Sequence, residues 1–289
     1  MSARGINGAR QTTEISWTNG TWNPFVGCSI VSAGCTNCYA MRQAHRPEHA
    51  FRVPAYAGTT RAVNGNTVWT GRVNRSSDAK MTEPLRRAEP ALIFVNSMSD
   101  FWHPAAEDRW RAEALDVMRA APQHRFQVLT KRPELIAPTM ARMGITALPD
   151  NLWLGSTVED HRVAERAALL SRIPARVRFL SVEPITARVG LLPLAGIAWV
   201  ITGGESGRGA RWCGPAWARE VRDQCVAAGV AYFHKQHGTY ASNPLVCEQE
   251  MTPAEAAKLD PPAHGKGGGL LDGRLWREFP EALEGRGGA

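Results

Sequence analysis

Three cysteines, Cys28, Cys35 and Cys38, fall within eleven positions of the stretch NPFVGCSIVSAGCTNCYAMRQAH at residues 23–45. Thiolates are soft ligands, so a group of three points first to zinc or to iron–sulfur chemistry. Structural zinc takes four ligands, and Cys-x6-Cys-x2-Cys can be completed by His45, although the first gap is wider than a zinc knuckle uses. The other reading is a [4Fe-4S] cluster on three thiolates, which leaves one iron open. An open iron that chelates the amino and carboxyl groups of S-adenosylmethionine begins radical chemistry. One electron breaks the sulfonium C–S bond, and the adenosyl radical then takes a hydrogen from a substrate. The usual signature has three residues in its first gap and an aromatic just before the third cysteine. Here the gap is six, Asn37 precedes Cys38 and Tyr39 follows it. Both readings use the same ligands, and spacing alone leaves them both open.

The chain of 289 residues can bury a sizeable core. It carries 34 Lys and Arg against 27 Asp and Glu. Of the net +7, the first 90 residues hold +6, from eleven basic and five acidic side chains. The basic excess therefore lies with the cysteines, where it can attract phosphates or form a solvated face. No apolar run is long enough for a membrane span, and MSARGINGARQTTE has no hydrophobic signal region. These features predict a cytoplasmic protein with no membrane partner, where six cysteines read as metal or redox chemistry before disulfides. Cys213 and Cys225 read as ordinary residues in or beside a helix, and Cys247, in a loop, receives no role.

From residue 91 the pattern becomes regular. Short apolar runs at 91–97, 126–130, 151–157, 177–183, 197–204 and 230–236 read as buried parallel strands. Apolar residues three and four apart predict helices over 104–121, 133–143, 159–172 and 215–228. Pro104, Pro133 and Pro215 mark their starts and Gly229 the end of the last. With a seventh strand before Cys28, the fold class is α/β: a partial TIM-like (β/α) barrel of about six to seven parallel strands. A doubly wound open sheet is the competitor. The expected boundaries are a disordered tail over 1–13, one α/β domain over 14–250 with a basic insert at about 46–90, and a C-terminal extension over 251–289. The insert should hold a small strand or hairpin in VNGNTVWTGRVNRSS. The extension should hold a short helix, a turn at the glycines 267–269 and a hairpin in LLDGRLW.

The barrel is preferred because polar groups cluster where the strands end, at NSMSDFWH, TKRP, STVED, SVEP, GGESG and HKQHG. Loops at that end of a barrel build one shared site. Ser97, Ser99 and Asp100 follow the strand after the cysteine loop and are candidate cofactor contacts. Gly203 and Gly204 would allow close backbone approach, and Glu205 could bind an amine or a ribose hydroxyl or pair with an arginine. Lys131 and Arg132 could hold a carboxylate or phosphate, or pair with Glu159 or Glu183. Substrate binding is assigned to Lys131, Arg132, Glu159 and Gln236, and catalysis to Glu183 as acid or base and Lys235 as proton donor. Lys235 has the alternative of a plain ion pair. His234 and His237 lack the carboxylates of a metal cluster. Trp22 and Trp102 are placed in the core or on the bowl.

Nine motifs, WNPFVGCSIVSAGCTNCYA, WTGRV, IFVNSMSDFWH, VLTKRP, NLWLGSTVE, RFLSVEP, WVITGGESG, YFHKQHG and LLDGRLWREFP, follow one another in an order that resembles the phage gene-product 37/68 family. The resemblance covers about residues 14 to 280. That family is itself similar to radical S-adenosylmethionine enzymes. The resemblance implies a cluster on Cys28, Cys35 and Cys38 with a barrel beneath it. The expected function is an iron–sulfur enzyme that cleaves S-adenosylmethionine, served by an external electron donor, with a nucleic acid or nucleotide as substrate. The alternative is a zinc-containing nucleic-acid-binding protein without catalysis. An iron–sulfur protein that only transfers electrons is a third reading, disfavoured because it would normally use four protein ligands.

Overall fold

The structure is a computed structural model that describes residues 9–281. The N-terminal tail expected over 1–13 lies partly outside the described residues. Within them Ala9 is buried, the Arg10 amide donates to Glu89 and the Thr12 amide donates to Asn19.

In chain order the strands are β1 (Gly20–Trp22), β2 (Phe25–Val26), β3 (Thr60–Val63), β4 (Asn66–Trp69), β5 (Asn74–Arg75), β6 (Leu92–Val95), β7 (Arg125–Thr130), β8 (Leu152–Thr157), β9 (Val177–Val182), β10 (Trp199–Gly203), β11 (Ala231–Gln236), β12 (Leu270–Leu271) and β13 (Arg274–Leu275). The helices are α1 (Tyr39–Ala44), α2 (Pro47–Ala50), α3 (Asp78–Met81), α4 (Asp108–Ala120), α5 (Ile136–Arg142), α6 (Glu165–Ser171), α7 (Pro215–Ala228), α8 (Pro244–Cys247) and α9 (Pro253–Leu259).

Seven parallel strands form one sheet in the order β1-β6-β7-β8-β9-β10-β11. Neighbours in the sheet follow chain order with no reversal. A doubly wound sheet must reverse at a switch point, so this is the partial (β/α) barrel class. Helices α4, α5, α6 and α7 supply crossovers, while β9 passes to β10 without one. The strands are apolar on both faces, as in Val177–Val182 and Trp199–Gly203.

The chain divides into two compact units, the first running to Gly155 and returning for Ile173–Arg176, the second holding Ser156–Arg172 and the chain from Val177 onward. In the first, β6 pairs with β1 and β7 around Trp22, Phe126 and Trp102, so both tryptophans weighed for the bowl are core. In the second, β10 pairs with β9 and β11 around Phe179, Trp199 and Phe233.

Helix α7 starts at Pro215 and ends at Gly229, whose φ of 64° is the left-handed stop. Helix α4 begins at Asp108 rather than Pro104. There the His103 imidazole accepts from the Ala105 amide and the Ala106 amide closes a turn on His103, so the chain turns instead of coiling. The hairpin in the insert is β3–β4, closed by Asn64 and Gly65 at φ 46° and 73°. The C-terminal extension holds α9, capped reciprocally by Thr252 and Glu255. It also holds the hairpin β12–β13, closed by Asp272 and Gly273.

Candidate functional site

In the first unit the cysteine loop leaves β2 and enters α1, with a short helical turn at Ala33–Cys35. Cys28 and Cys38 both pack against one apolar cluster, formed by Val26, Ala40, Met41, Ala44, Trp69 and Met98. Cys35 is buried, and its carbonyl accepts from the Cys38 amide at 3.3 Å. Burial pushes the Cys28 thiol up to about 12, with Asp100 adding to the rise and Arg132 opposing it. Burial also raises Cys38, against the pull of the Met41 and Ala40 amides at the start of α1; Lys131 is near enough to favour its thiolate weakly.

The loop after β6 docks beneath the cysteines. Gly27 bridges to Ser99, its amide donates to the Met98 carbonyl at 3.0 Å, and the Tyr39 hydroxyl donates to the Ser97 carbonyl at 3.0 Å. The predicted cofactor residues Ser97, Ser99 and Asp100 are thus brought to the cysteine loop. Ser97 exchanges hydrogen bonds with Asn23, and the Ser99 hydroxyl donates to the Phe25 carbonyl. Asp100 accepts from Thr130 Oγ1 at 2.7 Å, the Trp102 and Lys131 amides, and Arg132 Nη1 at 2.8 Å.

Arg132 is the hinge of this arrangement. Besides Asp100 it donates to Ser29 Oγ at 2.7 Å and the Ser29 carbonyl at 3.2 Å, and its Nη1 lies 3.9 Å from Cys28 Sγ. Ser29 Oγ is in turn 2.8 Å from His103 Nε2. Burial lowers His103 to about 4, with Arg132 contributing, so the ring is neutral. The partner of Arg132 is therefore Asp100, not Glu159 or Glu183. Ser29 and His103 were missed in the sequence, although both lie inside motifs quoted for the site; only their distance in the chain hid the contact.

The chemistry of the donor set suits a thiophilic group. Burial raises two of the three thiols, Cys28 and Cys38, and Cys35 beside them is buried; a bound cation would hold such groups as thiolates. Asn96 adds an orphaned acceptor: it follows β6 at φ 61°, is buried, donates to the Phe25 carbonyl, and leaves its Oδ1 without a partner among the described residues. Among the described residues no three His, Cys, Asp or Glu side chains are grouped as a chelate. Between Cys28 and Cys35 the loop leaves Ile30 and Val31 exposed, while Ser29 is held by Arg132 and His103. His45, the fourth zinc ligand considered, is exposed and hydrogen-bonded to Thr60 Oγ1 at 3.1 Å.

In the second unit the predicted polar side chains already have partners within the chain. Lys235 Nζ meets Glu183 Oε1 at 2.5 Å, both partly exposed. A Cβ on Gly203 would lie 3.2 Å from the Glu183 carboxyl carbon, so the glycine makes room for that pair. Glu205 is held bidentately by Arg211, through Nη2 at 2.6 Å and Nε at 3.0 Å. Glu159 is fully buried against Arg166 at 2.8 Å. Gln236 is buried between the Gly204 carbonyl and the Lys266 amide. Gly204 approaches so closely that a Cβ would stand 2.0 Å from the His237 carbonyl oxygen. His234 bonds Thr202 through Nδ1, His237 bonds the Leu270 carbonyl through Nε2, and burial lowers both rings toward the neutral form.

Among the described residues no helix is long and apolar enough to cross a membrane. No curated protein and no solved structure matches the chain. One family does, over residues 12–280, nearly the whole of the described chain, and so the protein belongs to the family described as protein of unknown function, DUF5131.

Proposed function

We propose that this chain is an iron–sulfur enzyme of the cytoplasm that cleaves S-adenosylmethionine to modify a substrate by radical chemistry. One observation carries the reading: three thiols share a single loop just beyond β1, the first strand of a parallel partial barrel, and the short β2, against the polar loop that follows β6. When bound, a [4Fe-4S] cluster on Cys28, Cys35 and Cys38 supplies an open iron and one electron for the sulfonium C–S bond.

The chain's own residues do the rest. Arg132 and Asp100 fix the base of the loop. Ser97 and Ser99 offer hydroxyls beside it, and Asn96 offers a carbonyl oxygen. In the second unit Glu183 and Lys235, the residues assigned to acid–base work, hold each other as an ion pair.

The test is anaerobic reconstitution of the full chain, followed by reduction and addition of S-adenosylmethionine. The expected result is about four irons per chain and formation of 5′-deoxyadenosine. Cys35→Ala should lose both. One zinc per chain, no iron and no cofactor cleavage would replace this reading with a zinc staple.

A further inference from the structure

The basic insert has a shape as well as a charge. Between Tyr39 and Ser77, five arginines, Arg42, Arg46, Arg52, Arg61 and Arg72, are exposed, and Glu48 is the lone acid. Among the described residues Arg46, Arg52 and Arg61 have no ion pair with a carboxylate, whereas Arg75 is neutralised by Glu113 and Asp78. The β3–β4 ribbon is solvated on both sides along most of its length, and Phe51, at the end of α2, is 86% exposed. An isolated two-stranded ribbon has little stability of its own. This one is anchored at its root, where Trp69, Ala55 and Tyr56 pack on the cluster that also seats Cys28 and Cys38. His45, bonded to Thr60, ties the end of α1 and Arg46 to the start of the ribbon beside Arg61.

Three exposed guanidinium groups without a carboxylate partner, Arg46 and Arg52 flanking α2 and Arg61 on the ribbon, with an exposed aromatic and almost no carboxylates, are complementary to a polyanion with stackable rings. We infer that residues 42–72 form a docking arm for a polynucleotide, with the phosphates on Arg46, Arg52 and Arg61 and a base on Phe51. The arm shares its root with the cysteine loop, so a strand held there is delivered to the chemistry proposed above. This deepens that reading by naming its substrate class, and it rests on that reading only for the role of substrate.

The test is fluorescence anisotropy of labelled single-stranded DNA, single-stranded RNA and duplex DNA, titrated with the full chain between 50 and 200 mM salt. Strong salt dependence is expected. The triple variant Arg46→Gln, Arg52→Gln, Arg61→Gln should bind about tenfold or more weakly at low salt, with the slope of log affinity against log salt reduced by about 2. Phe51→Ala should weaken single strands by about tenfold and duplex less. A control with the same charge loss elsewhere, Arg119→Gln, Arg172→Gln, Arg176→Gln, should keep its affinity.

Melting curves verify that the variants fold. Equal losses in both triple variants, heparin bound as tightly as every nucleic acid, or no binding at low salt would each overturn the arm. Binding by the arm in a chain that holds no iron would overturn the radical reading instead. Cofactor cleavage without polynucleotide binding would do the reverse.

Discussion

Asp100 and Arg132 show how a buried pair organises a reactive loop. Both side chains are about 6% exposed, yet their charges are met by each other and by neutral donors and acceptors on every side. Such a pair adds little net stability, but removing one partner strands the other, at a cost of about 3–5 kcal/mol. Asp100→Asn should therefore lower the urea midpoint of unfolding sharply. Arg132→Lys keeps the charge but cannot fork to Ser29 and Cys28. It should be milder in stability, while Cys28 reacts faster with a thiol reagent as its loop loosens. Equal midpoints for Asp100→Asn and the wild type would remove the pair from any organising role. Asp100 and Arg132 were both visible in the sequence as strand-end polar residues. That they meet each other was not, because the pairing depends on two loops converging and the sequence shows each loop singly. The same holds for Glu183 with Lys235 and Glu205 with Arg211, where arginine or lysine partners were weighed as the plain alternative.

The regular elements were legible because burial on both faces of a parallel sheet forces continuous apolar runs. The runs at 126–130 and 177–183 match β7 and β9 within a residue. Helix ends were legible where a proline or glycine imposes backbone geometry, as at Pro215 and Gly229. They were not legible where a side chain competes with the backbone, as His103 does before α4. The GGESG motif belongs to this scale too. Its glycines were read as room for a ligand, but Gly204 is tight against the chain itself, its missing Cβ standing 2.0 Å from the His237 carbonyl oxygen. Gly204→Ala should force β10 and the segment after β11 apart, costing about 3 kcal/mol or more in unfolding experiments. Gly209, at φ 77°, where an added Cβ would meet nothing within 4 Å, should cost only about 1 kcal/mol as alanine, from backbone strain. Two alanine variants of equal stability would show that the close approach at Gly204 relaxes without cost.

At the scale of the whole chain, folding buries four histidines as neutral rings: His103 and His124 in the first unit, His234 and His237 in the second. Desolvation lowers all four, His103 to about 4. A histidine with a depressed folded pKa binds its proton in the unfolded chain first. Its stabilising contribution is therefore complete above the unfolded value of about 6.5 and is lost as pH falls from there toward the folded value. Carboxylates act in a lower window. Arg162 holds Asp160 down at about 2 and hydrogen bonds depress Asp260, so their contributions are lost only below the ordinary carboxylate range near 4. The chain should thus lose stability in two stages on acidification, with histidines responsible between pH 6.5 and about 4. By pH 5.5 each fully neutral histidine accounts for about 1.4 kcal/mol. Melting temperatures at pH 7.5, 6.5 and 5.5 measure the first stage. The His124→Gln variant, unable to titrate, should show a shallower fall than the wild type when each is referred to its own value at pH 7.5. A wild-type melting temperature that stays level from pH 7.5 to 5.5 would mean that these rings take up protons as readily in the native chain as in the unfolded one; the bonds that His124 and His237 donate to the Pro84 and Leu270 carbonyls would survive that change.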